Sequence, residues 1–284
     1  MVIIMITEII KSIIFGIVQG ITEWLPISST GHLLLINQFL NLKCSKDFLD
    51  MFKVVIQFGS IIAVIVLYWN KLFPYTVKKE KGKTVLSKSK QERIDTYILW
   101  AKVIVASIPA AVFGFLFENV IDDVLSTPVV IALALIIYGV LFIVIESTSK
   151  KPKVTDLKQL SFGRAFVIGC FQSLALIPGT SRSGSTILGA ITIGTARPVA
   201  SEFSFFLAIP VMFGASLLKI LGFGFDFTPL EWWVLITGTV VSFLVSVVAI
   251  RFLMNYIRKH DFKAFGYYRI ILGILVLIYF FCIA

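Results

Sequence analysis

The sequence predicts an all-α polytopic membrane protein made of two inverted repeats, each a re-entrant helix hairpin followed by three transmembrane helices. Three observations lead there. First, 58% of the 284 residues are hydrophobic and the mean hydropathy is +0.94, which leaves too little charge to cover a soluble domain. Second, uncharged runs of 17, 22 and 19 residues occupy 54–70, 124–145 and 232–250, and a bilayer core requires about 20 helical residues. Third, two polar stretches interrupt apolar segments and recur at a fixed separation.

The first apolar region, 8–42, is broken near its middle by Pro26. Proline lacks a backbone donor and biases its predecessor away from helix, so this region reads as two short arms meeting at a polar tip. No basic leader or small-residue cleavage site precedes it, and no cleaved signal peptide is expected. Full spans are expected near 52–70, 96–117 and 127–146. A second broken region covers 165–196, with Pro178 and Gly179 at its turn, and spans near 199–221, 231–253 and 267–284 follow. The chain is then one integral membrane domain, with repeats 1–149 and 160–284 joined by the basic loop 150–164.

Shifted by 153 residues, Gly16, Gln19, Ser28, Thr30 and Gly31 fall on Gly169, Gln172, Ser181, Ser183 and Gly184. The prolines are one step out of register, so the repeat is diverged. Three spans per half invert the second half relative to the first. Both tips then face each other near the midplane, where irregular backbone must be enclosed by protein or line a wet cavity.

The net charge of +10 is unevenly placed. Lys71, Lys78, Lys79, Lys81, Lys83, Lys88, Lys90 and Arg93 form one basic group. Lys150, Lys151, Lys153, Lys158 and Arg164 form a second, and Arg258, Lys259, Lys263 and Arg269 a third. The alternate connections carry Glu118, Asp122 and Asp123, and Asp226 and Glu231. By the positive-inside pattern, loops 71–95, 150–164 and 258–263 are expected in the cytoplasm. Membrane lipids, through their anionic headgroups, are the expected neighbours there, and nucleic acid is not an expected partner. Cys44, Cys170 and Cys282 are scattered and odd in number; they read as small packing residues, with no disulfide framework or metal cluster.

The tips carry the chemistry. QGITEWLPISSTGH covers 19–32 and PGTSRSGST covers 178–186. Gln19 and Glu23 are four apart and share one helix face. Ser28, Ser29 and Thr30 suit the N-cap of a second half-helix, with His32 in its first turn. Gly179 permits a tight turn, Ser181 can cap the next half-helix and Arg182 opens it. Two helix N-termini and an arginine fork make an anion site suited to phosphate oxygens. Capping alone explains the serines, and Gln19 can serve as a bond between helices. Glu23, His32 and Arg182 need more, because each charge at the membrane centre costs roughly 2.5–3.5 kcal/mol on insertion scales. Carboxylate, imidazole, hydroxyls and arginine together supply proton transfer, a nucleophile and transition-state charge stabilisation for phosphoryl transfer. His260 sits among basic loop residues and reads as solvated, while Glu202 reads as either a boundary residue or a support for the site.

Both motifs resemble signatures of the undecaprenyl pyrophosphate phosphatases, the bacitracin-resistance family, and FKVVIQFGSIIAV (52–64) and ASEFSFFLAIP (200–210) are similar too. The resemblance implies a bacterial plasma-membrane enzyme that hydrolyses undecaprenyl diphosphate to undecaprenyl phosphate and inorganic phosphate. That step recycles the lipid carrier for cell-wall polymers and confers bacitracin resistance. The resemblance further implies Glu23, His32 and Arg182 as essential residues and Ser29 as a proposed nucleophile. Ser28, Thr30, Ser181, Ser183 and Thr186 are implied as phosphate-binding neighbours. A divalent cation, Mg2+ or Ca2+, and a site open to the extracytoplasmic side are implied as well.

Gln19 stands where many members carry a glutamate, so Glu23 is the expected anionic metal ligand and Gln19 adds an uncharged oxygen. Ser29 with His32 as acid/base partner is the preferred nucleophile, and direct attack by His32 is the rival. The alternative function is a transporter or flippase of a lipid phosphate that uses the same midplane pocket, with Glu23 and His32 relaying protons. The acid-phosphatase-type lipid phosphatases do not match: Arg197-Pro198 follows both tips and His260 lies in a loop. A homo-oligomer is compatible with the sequence, which does not specify one.

Overall fold

The computed structural model describes residues 2–80, 83–86, 88–117, 125, 127–148 and 151–282. The first half contains α1 (Val2–Thr22), α2 (Ser29–Leu40), α3 (Lys46–Leu67), the single turn α4 (Trp69–Leu72), α5 (Lys90–Leu116) and α6 (Pro128–Thr148). The second contains α7 (Phe162–Ser173), α8 (Arg182–Thr192), α9 (Arg197–Phe223), α10 (Pro229–Tyr256) and α11 (Lys263–Cys282). A small antiparallel hairpin, β1 (Val77–Glu80) with β2 (Lys83–Leu86), decorates the loop between α4 and α5. The fold is an all-α polytopic membrane protein.

Sequence chemistry sets the boundaries. Ser89 and Glu92 form a capping box at the start of α5, and Thr228 with Glu231 forms the equivalent box on α10; each satisfies two donors that a helix start leaves free. Pro109 and Pro210 lie inside α5 and α9 without ending either helix. The breaks fall at Pro26 and at Pro178-Gly179, as expected.

Among the described residues seven helices are long and apolar enough to cross a membrane, one more than the six full spans expected, and α1 is the seventh. Glu8 and Lys11 interrupt its sequence but not its helix, because tertiary partners satisfy both. Glu8 accepts from Lys11 Nζ and from the Lys43 amide, each at 2.8 Å. Lys11 also donates to the Asn41 carbonyl at 2.9 Å, just past the end of α2. That layer closes the α1–α2 hairpin at its open end. From Lys11 to Thr22 α1 rises roughly 16 Å, about half of a 30 Å hydrocarbon core. The second arm pair, α7 with 12 residues and α8 with 11, is too short to span.

The two halves make matching contacts. Helix α1 packs on α10 as α7 packs on α5, each hairpin closes on itself, and α3–α9 and α6–α11 pair across the halves. Small residues allow these approaches. Ser60, Ser242 and Ser246 bridge α3 and α10 through hydroxyl contacts of 2.8 and 3.0 Å. A Cβ at Gly59 would stand 2.1 Å from the Thr239 carbonyl oxygen on α10. Gly59→Ala therefore forces α3 and α10 apart, and overpacking of this kind costs about 1–3 kcal/mol. A lowered unfolding temperature in detergent is the expected result, and an unchanged one would contradict this packing.

The basic loops converge at one end. Lys71 pairs with Glu202, which settles Glu202 as a boundary residue. Lys158 pairs with Asp95 at 2.8 Å, and this bond raises the ammonium above the ordinary lysine range. Arg197 forks onto Glu146, Nε donating to Oε1 at 2.9 Å and Nη2 to Oε2 at 2.5 Å, and Glu146 also accepts from the Phe262 amide at 3.2 Å. His260 is exposed and stacks on Tyr256. Arg269 does not belong to this group and is corrected below. Lys81, Lys150, Glu118, Asp122 and Asp123 lie outside the described residues. All three cysteines are unpaired; Cys44 is half-buried, whereas Cys170 and Cys282 are exposed, which corrects their reading as packing residues.

Candidate active site at the paired tips

Both tips use the same backbone device. Ser28 and Ser181, 153 residues apart, both sit at φ 72°, a region that a side chain enters at a cost of about 1–3 kcal/mol and that concentrates at functional sites. Each caps its helix: Ser28 Oγ accepts from Gly31 N at 3.4 Å and Ser181 Oγ from Gly184 N at 3.1 Å. The amides of Ser29, Thr30, Arg182 and Ser183 open their helices and have no intrahelical acceptor. At the second turn Gly179 has φ 96°, and a Cβ there would meet the Ile131 carbonyl oxygen at 2.5 Å. Only glycine lets that turn seat against α6.

Glu23 is the centre of the contact between the tips. Its carboxylate is 6% exposed and takes Arg182 Nη2 on Oε1 at 3.0 Å. Its Oε2 accepts from Gln19 Nε2 at 2.9 Å and from the Ser29 hydroxyl at 3.0 Å. Arg182 Nη1 donates to the Ser204 carbonyl at 2.8 Å, and its guanidinium lies 5.4 Å from the ring centroid of buried Trp24. Ser183 donates to the Glu23 carbonyl at 3.1 Å, and Thr186 meets Ser204 Oγ at 2.6 Å. Gln19, Glu23, Ser29, Arg182, Ser183, Thr186 and, beside Ser183, Ser181 are thus brought together. Thr30 is exposed on the outer side of the α2 start.

His32 is held differently. Its Nδ1 is 2.7 Å from the Ser28 carbonyl and its Nε2 is 2.7 Å from the Tyr268 hydroxyl on α11. The expected Ser29–His32 pairing is not formed: among the described residues Ser29 donates to Glu23 and His32 bonds to Ser28 and Tyr268. Ser29 and His32 are three apart on α2 and share a face.

Three participants escaped the sequence reading. Ser204 lies within the quoted 200–210 stretch but carried no signal of its own. Tyr268 opens an apolar span and looks like an interface aromatic. Arg269 reads as a loop cation and is instead fully buried, donating to the carbonyls of Pro26 at 3.1 Å, Gly179 at 2.8 Å and Thr180 at 2.9 Å. It ties the first turn to the second.

Gln19 Oε1 and Arg182 Nε in this cluster are buried without a hydrogen-bond partner among the described residues. The carboxylate can only accept, so the Gln19 amide must turn its nitrogen to Glu23 and leave its oxygen free. A free oxygen beside a carboxylate fits a hard cation, and a free guanidinium N–H beside two helix starts fits a phosphate oxygen. Among the described residues no three His, Cys, Asp or Glu side chains gather as a complete metal cage.

A family model described as bacitracin resistance protein BacA matches residues 12–275, which include both tips. An undecaprenyl-diphosphatase of Enterococcus faecalis is 56% identical over 273 residues, covering 95% of this chain and 96% of that one. Undecaprenyl-diphosphatase 1 of Clostridioides difficile is 56% identical over 274 residues, 96% of this chain and 97% of its own. An undecaprenyl-diphosphatase of Acetivibrio thermocellus is 54% identical over 275 residues, at 96% and 98% coverage. Matched by the family model over residues 12–275 and at least 54% identical to these relatives over at least 95% of its length, the chain belongs to the bacitracin-resistance BacA family.

Proposed function

We propose that this chain hydrolyses undecaprenyl diphosphate to undecaprenyl phosphate and inorganic phosphate, and so confers bacitracin resistance. The observation that carries the reading is the buried contact between the tips, in which one carboxylate, Glu23, holds both the phosphate-type arginine Arg182 and the hydroxyl of Ser29. A phosphate site enclosed by apolar helices suits a phosphate carried on a lipid.

The diphosphate lies across the two helix starts, with Arg182 and the free amides of α2 and α8 on its oxygens. Ser29 Oγ attacks the terminal phosphorus as its proton passes to Glu23, the acceptor it already faces at 3.0 Å. The bond to the bridging oxygen breaks, and undecaprenyl phosphate leaves with that oxygen. Water then attacks the phosphoserine, Ser29 regains a proton and inorganic phosphate departs. His32, on the same face of α2, serves that water. Glu23 and Gln19 are the residues that would hold a divalent cation, which when bound neutralises charge on the phosphate oxygens.

The halves are read as inverted repeats, 1–149 and 160–284, around the loop 150–164. Their matched caps and matched helix pairings support this. The convergence of the basic loops at one end supports placing that end in the cytoplasm. The Glu8–Lys11 layer then faces the outside of the plasma membrane, and the tips are reached from that side.

Phosphate release from undecaprenyl diphosphate by the detergent-purified protein tests the reading. Release that EDTA stops and Mg2+ or Ca2+ restores is expected; folded protein without release would overturn it. Substrate labelled on its terminal phosphate should leave phosphoserine at Ser29 after rapid quenching. Phosphohistidine in its place would remove Ser29 as the nucleophile.

A further inference from the structure

Tyr268 lies near the start of α11, far from both motifs in sequence. Its hydroxyl is 2.7 Å from His32 Nε2, and the two rings are parallel to within 4° with centroids 5.6 Å apart. On the other side of the imidazole, Nδ1 is 2.7 Å from the Ser28 carbonyl oxygen. A carbonyl only accepts, so Nδ1 carries a proton. In the neutral ring Nε2 is then the acceptor and the Tyr268 hydroxyl its donor. One bond fixes the tautomer and the other occupies the nitrogen that does the chemistry.

A proton that reaches Nε2 must therefore come through the phenol oxygen. Tyr268 is 43% exposed, and a phenol oxygen that donates to His32 keeps its lone pairs for a second donor. The next residue, Arg269, is fully buried and bonded to the turn carbonyls of both tips. The α11 backbone beneath Tyr268 is thereby fixed relative to α2. His32 and Tyr268 come from opposite ends of the chain, and no motif links them.

We propose that Tyr268 is a positioning and proton-relay residue for His32. When water attacks the phosphoserine, its oxygen bonds to phosphorus and the P–Oγ bond to Ser29 breaks. The proton released from that water moves to the Tyr268 oxygen as the Tyr268 proton moves to Nε2. Tyrosine is unchanged at the end of the step, and His32 has become imidazolium. The imidazolium then returns a proton along the same path as phosphate leaves. This inference rests on the proposed acid–base role of His32.

The test uses full-length protein in detergent, comparing Tyr268→Phe with wild type, with His32→Asn and with Tyr267→Phe at the exposed neighbouring position. Tyr268→Phe should lower kcat by about 10-fold or more, up to the roughly 10²–10⁴-fold that a full acid–base step contributes, and shift KM by less than about twofold. Tyr267→Phe should match wild type. The chain has two histidines, so a protein labelled with nitrogen-15 at histidine gives a readable spectrum, with His260→Asn assigning the signals. The His32 Nε2 resonance should move towards that of a nitrogen without a donor in Tyr268→Phe. An unchanged Nε2 resonance, or an unchanged kcat while His32→Asn is inactive, would overturn the role of Tyr268 alone. Wild-type kcat in His32→Asn would overturn the role of His32 and the relay with it.

Discussion

Arg182→Ala should abolish phosphate release and also destabilise the fold. Loss of one preorganised donor to a developing anion costs about 10²–10³-fold in kcat. Here the loss is larger, because the guanidinium is the only cation in contact with Glu23 among the described residues. Removing it leaves a carboxylate buried without a countercharge, and breaking a buried pair from one side costs about 3–5 kcal/mol. Two quantities should therefore fall together, activity and unfolding temperature. Arg182→Lys separates them. An ammonium restores the charge but cannot reach Glu23 Oε1 and the Ser204 carbonyl at once, as Nη2 and Nη1 do at 3.0 and 2.8 Å. It should recover much of the stability and little of the rate. A Glu23→Gln/Arg182→Met double variant removes both charges and should be nearer wild type in stability than Arg182→Ala, yet inactive. Activity within about threefold of wild type in Arg182→Ala would remove the arginine from the chemistry.

The tips were the most legible part of this sequence because their signals are local. A proline breaks a helix, a serine caps the next one and a spacing of four puts Gln19 beside Glu23; each rule acts within a few residues, and each holds at 2.9–3.4 Å in the structure. The likeness of the two turns was legible for the same reason, since Ser28 and Ser181 do one job with one backbone angle. What escaped depended on distant partners. The length of α1 turns on Lys43 and Asn41, 35 and 30 residues from the Glu8 and Lys11 they satisfy. Ser204 joins the site through its carbonyl, on Arg182, and its hydroxyl, on Thr186, both partners lying 18 or more residues away. Tyr268 and Arg269 enter from α11, where an aromatic beside a cation at the start of a span has the composition of an ordinary membrane-interface anchor. The pairing of Ser29 with His32 followed from motif proximity, whereas helix geometry aims the imidazole at α11 and leaves the serine on Glu23.

Arg269→Met should be as damaging as any change in the catalytic cluster, although Arg269 touches none of the proposed catalytic side chains. The residue is fully buried and among the described residues has no carboxylate partner; its charge rests on the carbonyls of Pro26, Gly179 and Thr180 and on the face of the Tyr138 ring at 5.4 Å. Methionine replaces the aliphatic stem and leaves three carbonyl oxygens without their donor. Each buried acceptor left unmet costs about 1–3 kcal/mol, a large share of the about 5–15 kcal/mol that holds a typical fold. The chemical consequence follows from which carbonyls these are. One belongs to the first turn and two to the second, so their common donor sets the gap across which Glu23 meets Arg182. When it is lost, the turns separate and phosphate release should fall in proportion to that separation. Gly184 offers a gentler probe of the same contact, because a Cβ there would stand 3.0 Å from Arg269 Nη1. Gly184→Ala should displace the guanidinium while keeping its charge, and give a partial loss of activity with a smaller fall in unfolding temperature than Arg269→Met. Wild-type stability and activity in Arg269→Met would show that packing of α6 against α11 holds the tips in place without it.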